Sequence, residues 1–349
     1  MSTTLAYEDK PFLSAPKISF GGVTTFEWLF IILGGMLFFL PPIMFLGEST
    51  LASQNPIAWN FWMTAAISAP HVNAAYVRLE RKIVQGRLNA FFGIPLYLVF
   101  LALLGLAAWL GRYLEFMTAV NVWQSFHYVR QVYGISRVYA HENIETHLSR
   151  RLTYWAFHLA MPLFVLGRWS LLFDVWKGKA SPSDVIIPVH MPDALMTCCF
   201  VLAIVGFGLG ISAEFIKSKQ GVYNPVGLVN LLGYYFIHWF GFLSASCYWR
   251  GFFAVTIYHA VQYLGLVFLQ EKKQRKNPPA FLCLWDKTPV VVTFLAFWLA
   301  IFLVGHTVLD FVLPSFNIYW LQWTAVFLGA QSAHHYAIDT FLWRAKVGK

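Results

Sequence analysis

The chain reads as an all-α, polytopic membrane helix bundle of about ten spans, with both termini in the cytoplasm. Three observations predict this. Of 349 residues, 58% are hydrophobic and 12% are charged, about half the charge of an ordinary globular domain. Apolar runs of about 20 residues, enough to cross a bilayer, recur along the whole length. The basic residues collect in every second connection between those runs, as cytoplasmic loops do.

In order, the predicted spans are 27–47, 57–77, 88–111, 115–138, 153–173, 191–215, 226–248, 251–270, 288–311 and 318–343. Residues 1–25 have mixed charge, two prolines and no apolar leader core, so they are expected to be a short cytosolic tail rather than a cleaved signal peptide. The basic connections hold Arg78, Arg81, Lys82 and Arg87; Arg150 and Arg151; Lys217 and Lys219; Lys272, Lys273, Arg275 and Lys276; and Arg344, Lys346 and Lys349. The alternate connections hold fewer, chiefly Arg112, Lys177, Lys179 and Arg250. This order accounts for the net charge of +9 as a cationic rim facing anionic head groups. It removes nucleic acid as a partner. The longest outer loop is 174–190. Nothing marks a soluble domain or a linker, so residues 1–349 form a single integral-membrane domain, expected in a bacterial cytoplasmic membrane. Cys198, Cys199, Cys247 and Cys283 make no C-x-x-C pair and read as packing residues.

The chemistry lies in the histidines. The last span holds Gln331-Ser332-Ala333-His334-His335-Tyr336-Ala337-Ile338-Asp339. On a helix, His335 and Asp339 share a face, and His334 lies about 100° round from His335. Ionisable groups at membrane depth are costly and usually functional. On the predicted topology His71, His127, His158, His238, His259, His334 and His335 fall in one slab, in the middle-to-inner half of the bilayer. His190 and His306 fall near the outer face, and His141 and His147 in an inner loop. A lone histidine in a membrane helix is most often a packing or hydrogen-bonding residue. Seven at one depth, two of them adjacent, shift the balance toward a buried metal site built as helical bundles build them.

Thiols are poorly placed and carboxylates are few, so the site is nitrogen-rich. That suits non-haem iron best, one ion or two, with copper and zinc after it. The expected ligands are His71, His127, His259, His334 and His335, with His158 and His238 in reserve. Asp339 is a further ligand or a base beside them. Gln131 and Gln262 sit about one turn from His127 and His259 and can orient those rings. Arg130, inside the fourth span, needs a carboxylate, a carbonyl or a water-filled cavity, and can pair with Asp339 or with a polar substrate head. Tyr128, Tyr133, Tyr258, Tyr263 and Tyr336 flank the histidines, as proton donors or as packing. The stretch Phe126-His127-Tyr128-Val129-Arg130-Gln131-Val132-Tyr133-Gly134 echoes Tyr258-His259-Ala260-Val261-Gln262-Tyr263-Leu264-Gly265 with one residue dropped, a duplicated half-site or a coincidence.

Pro70-His71 with Ala74, Tyr258-His259, and the late histidines near Asp339 resemble the bacterial membrane β-carotene dioxygenases. The resemblance implies an iron held by histidines from several spans and oxidative cleavage of a polyene. The chain departs from that family where an acidic residue should follow Pro-His; Ala75 and Tyr76 stand there. A comparison with the integral-membrane fatty acid desaturases and hydroxylases fails on the H-x-x-x-H and H-x-x-H-H boxes, which are absent.

The expected function is therefore a membrane-embedded, histidine-ligated iron oxygenase acting on a lipid, carotenoid or similar molecule, with an electron donor as a further partner. Two rivals remain from the sequence. His127 and His259 can be axial ligands of a b-type haem in an electron-transfer protein. The histidines can also be structural in a transporter or lipid-handling protein. Intramembrane carboxylates are scarce for a proton- or sodium-coupled transporter. No lysine sits mid-span for a retinal Schiff base, and no phosphate-binding glycine loop is present.

Overall fold

A computed structural model of the chain describes residues 24–45, 69–140, 145–167, 191–241, 248–274, 292, 294–296, 298–299 and 320–342. All regular structure among them is helical. The predicted outer loop 174–190, most of the ninth span, the first half of the second, and His141, His190, His306, Cys247 and Cys283 lie outside the described residues.

The first predicted span is a broken helix. α1 (Thr24–Phe26) passes straight into a π-helical segment, Glu27–Ile32, and α2 (Met36–Phe45) resumes after a break. The break contains Gly34 at φ +54°, where an added Cβ would lie 2.3 Å from the ring of Tyr258. Only glycine lets the backbone turn and approach this closely. Gln262 Nε2 donates to the carbonyl of Ile32 across the same contact, at 3.3 Å, serving one of the acceptors that the break leaves over.

α3 (Ala69–Val84) runs past the predicted span end. It stops at Gly86, φ +64°, where Arg87 N donates back to Lys82 O at 2.8 Å, a glycine-dependent helix end. Arg78, Arg81 and Lys82 therefore lie on a helix and turn inward, where the sequence predicts a loop rim. Arg78 Nη2 donates to Leu342 O at 3.2 Å, and Lys82 Nζ to the carbonyls of Leu342 at 3.0 Å and Phe341 at 3.3 Å. Arg81 pairs with buried Glu271 at 2.6 Å. These cations serve the carbonyl end of the last helix, where the helix dipole favours positive charge. Burial, then the charges of Arg78 and Arg81, lower the Lys82 ammonium to about 8.

A 3-10 turn, Ala90–Phe92, leads into α4 (Ile94–Trp109), followed by α5 (Tyr113–Tyr139), α6 (His147–Gly167) and α7 (Asp193–Lys219). α8 (Pro225–Trp239) opens with proline at its first position and with Asn224 accepting from Val226 N at 2.9 Å. α9 (Tyr248–Gln274) and α10 (Trp320–Leu342) complete the described helices.

α6 and α7 make the most extensive pairing. Small residues permit it. Added Cβ atoms at Gly206 and Gly210 would lie 3.2 Å from Leu159 Cβ and 3.1 Å from Ala156 Cβ, both on α6. α9 packs on α3, α5, α8 and the broken first helix, and α10 on α3, α4 and α5. The four helices α3, α5, α9 and α10 thus enclose a common interior, and polar groups concentrate there. His71, His127, Gln131, His259, Gln262, His335 and Asp339 are all buried. Large apolar residues instead face outward on α4 (Ile94, Leu98, Leu103, Trp109) and α7 (Leu195, Val201, Ile204, Phe215).

Among the described residues, α7 is the one helix both long and apolar enough by itself to cross a membrane; α4 is apolar but shorter. α5 and α9, at 27 residues each, and α10, at 23, have spanning length. Their apolar character is diluted by the polar residues they bury around the interior.

Candidate metal centre

Four histidines, His71, His127, His259 and His335, meet at the centre of this interior, each from a different helix. All four are buried, with ligand atoms within 4.8 Å of one another. Their Nε2 atoms close a ring: His71 to His259 at 3.2 Å, His259 to His127 at 2.8 Å, His127 to His335 at 3.1 Å, and His335 to His71 at 2.9 Å.

That ring has the size of a coordination sphere. A flat ring of edge about 3.0 Å has its centre about 2.1 Å from each corner, a metal–imidazole bond length. Tetrahedral ligands at that bond length would stand about 3.4 Å apart on every edge, and all four observed edges are shorter. The donor set therefore suits an ion that takes four nitrogens around its equator. The ring is also poorly served by hydrogen bonds alone. A neutral imidazole has one N–H and one lone pair, and each Nε2 here faces two others. A central cation satisfies all four lone pairs at once.

One ring is held by a carboxylate. His127 Nδ1 lies 3.2 Å from Asp339 Oδ2, and Tyr263 Oη donates to Asp339 Oδ1 at 3.0 Å. A carboxylate only accepts, so a proton on Nδ1 of His127 would face Asp339 and leave the Nε2 lone pair toward the centre. Tyr263 also sets its ring edge-on to His71, with centroids 4.6 Å apart, and the Arg78 guanidinium lies 5.5 Å over its face. Among the described residues, the Nδ1 atoms of His71, His259 and His335 have no hydrogen-bond partner. Aromatic rings wall the centre: Tyr128 stacks on His259 at 3.9 Å, and Tyr336 tilts against His127 at 4.8 Å.

The other predicted ligands lie elsewhere. His334 turns away from its neighbour: Nε2 donates to Phe92 O at 2.8 Å, and Nδ1 lies 3.1 Å from Tyr76 Oη. Both its nitrogens are used. His158 Nδ1 donates to Tyr154 O at 2.8 Å, and its ring stacks on Tyr154 at 3.7 Å. His238 Nδ1 donates to Tyr234 O at 2.6 Å. His147 is exposed at the start of α6. Asp339 stands behind His127 rather than at the centre. The two glutamines hold backbone instead of imidazole: Gln131 Nε2 donates to His259 O at 2.7 Å, as Gln262 does to Ile32 O. Arg130 does not reach Asp339; its bond is to Thr340 O at 3.4 Å. Sequence reasoning names Tyr263 only among five flanking tyrosines. Its spacing of four from His259, one helical turn, is the signal that marks it.

Comparison with known protein families, curated proteins and solved structures finds no match to this chain.

Proposed function

We propose that the chain is a polytopic membrane oxygenase of about ten spans, with one non-haem iron held by His71, His127, His259 and His335. The observation that carries this reading is the closed ring of four buried Nε2 atoms. Asp339 and Tyr263 fix the His127 ring, and Tyr128, Tyr263 and Tyr336 keep bulk water away from the centre. Bound iron held by these four histidines would supply dioxygen activation. Copper is the second choice, since it also accepts four nitrogens in a plane; zinc prefers the tetrahedral arrangement that these edges do not match. A single ion suits the site because the histidine ring provides one centre, and His334 and Asp339 are engaged elsewhere.

The membrane reading is supported by the alternation of basic connections and by the outward apolar faces of α4 and α7 over a polar interior. A lipophilic substrate entering from the bilayer follows from that setting. It agrees with what the resemblance to membrane β-carotene dioxygenases implies. A b-type haem suits the geometry less well. Axial imidazoles on opposite sides of a haem iron stand about 4 Å apart, with the macrocycle between them. His127 and His259 are 2.8 Å apart, and two more histidines occupy the porphyrin plane.

Elemental analysis and visible absorption of the protein purified without chelator test the proposal. The expected result is about one iron per chain with no Soret band. A Soret band, or protein that binds no iron when offered Fe(II) anaerobically, would overturn it.

A further inference from the structure

Arg130 is the charge in the α5 interior that the metal centre does not use. It lies one turn from His127, about 4.5 Å of rise along the helix. It also lies nine residues before the end of α5 at Tyr139, about 13 Å from it, farther than its side chain can extend. Among the described residues its hydrogen bond is a long one, to the neutral Thr340 carbonyl at 3.4 Å on α10. The carboxylate nearest the centre, Asp339, is engaged by His127 and Tyr263. An arginine at membrane depth is normally compensated by a partner of opposite charge.

The surface around it is built for an amphiphile. Arg130 is half-buried, and Phe126, one turn above it, is 46% exposed. One turn below, Tyr133 meets Tyr154 and His158 of α6, with ring centroids 5.5 and 5.4 Å away. On the α10 side, the Tyr336 ring lies 4.8 Å from that of His127 and 6.2 Å from that of Trp123. An aromatic surface carrying a guanidinium thus lies one helical turn along α5 from a ring histidine.

We infer that Arg130 binds the carboxylate head of a single-chain, long-chain acid, so that the substrate class of the centre is an amphiphilic acid rather than a wholly apolar hydrocarbon. This deepens, and rests on, the reading of the four-histidine ring as the reacting site. Guanidinium and carboxylate pair through two parallel hydrogen bonds, which gives both affinity and orientation. With the head at Arg130, the carbons nearest the head lie closest to His127. Tyr336 and Trp123 then decide which of them reaches it.

The test uses the full chain in nanodiscs of zwitterionic lipid, with radiolabelled oleate and methyl oleate as probes and iron measured in the same samples. Oleate is expected to bind at least about tenfold tighter than its ester, the worth of one charge-assisted contact. Arg130→Gln retains a donor for Thr340 O and removes the charge. It is expected to erase the acid-over-ester preference while leaving iron content unchanged. Equal binding of acid and ester by the wild type, which needs no variant, overturns the inference. So does a preference that survives in Arg130→Gln. Displacement of oleate by anionic phospholipid added to the disc also overturns it, by assigning the guanidinium to a lipid headgroup. Acid preference without iron sinks the metal reading and leaves the Arg130 site standing as a binding site alone; iron without acid preference does the reverse.

Discussion

The histidines of the ring and those of α6 and α8 share one predicted depth in the sequence but spend their nitrogens differently. His158 and His238 each turn Nδ1 back to the carbonyl four residues earlier on their own helix, at 2.8 and 2.6 Å. Such a bond costs nothing in tertiary structure and gives the ring a place to rest. His71, His259 and His335 make no bond of this kind, and their Nε2 atoms point at one another. A histidine that declines its local carbonyl and faces other imidazoles needs something beyond the fold to hold it. Depth in the membrane sorted candidates; the local carbonyl separates ligands from packing residues.

The largest effect that can break this comparison comes from paired substitutions. His335→Ala or His71→Ala should lower metal affinity by more than the about 10–100-fold that loss of an outer partner costs. His158→Ala and His238→Ala should leave metal stoichiometry unchanged. Chelator competition followed by elemental analysis reads both, and metal lost from the second pair alone would invert the assignment.

Next comes the carboxylate. Asp339→Asn should weaken metal binding about 10–100-fold and alter the electron paramagnetic resonance spectrum of the bound ion, because the His127 ring loses its anionic acceptor. Tyr263→Phe, which leaves Asp339 in place, should shift the spectrum in the same direction by less. Unchanged spectra in both would make this pair mere packing.

A smaller effect belongs to the broken first helix. Gly34→Ala forces a side chain into φ +54° and against Tyr258. It should cost about 1–3 kcal/mol, read as a lower thermal midpoint. Metal affinity should fall with it, since the residue after Tyr258 is the ligand His259.

The smallest concerns Lys82. Its ammonium is lowered to about 8 in the folded chain by burial and by Arg78 and Arg81. An unfolded lysine keeps its proton to about 10.4. Between those values the unfolded chain binds more protons, so stability of the metal-free protein should rise slightly from about pH 8 to pH 10. Lys82→Met should flatten that slope in a thermal melt.

The sequence made the all-helical class and the positions of most described helices legible, because apolar runs and charged breaks are local signals. It also nominated all four ring histidines. It could not separate His335 from His334: adjacent residues on a helix point about 100° apart, and which of them faces inward depends on where α3 and α5 lie. Nor could it see that Gln131 and Gln262 would bind backbone, since a side-chain amide serves a carbonyl as readily as an imidazole. Arg78 and Lys82 looked like rim charges because nothing local records that the carbonyl end of α10 lies beside them.

The ring also joins residues far apart along the polypeptide. His71 and His335 stand 264 residues apart, yet their nitrogens are 2.9 Å from each other. At the about 5–20 residues per second of synthesis, the fourth donor leaves the ribosome tens of seconds after the first. The proposed site is therefore complete only once α10 has been made, and a chain stopped before it would lack one of the four nitrogens.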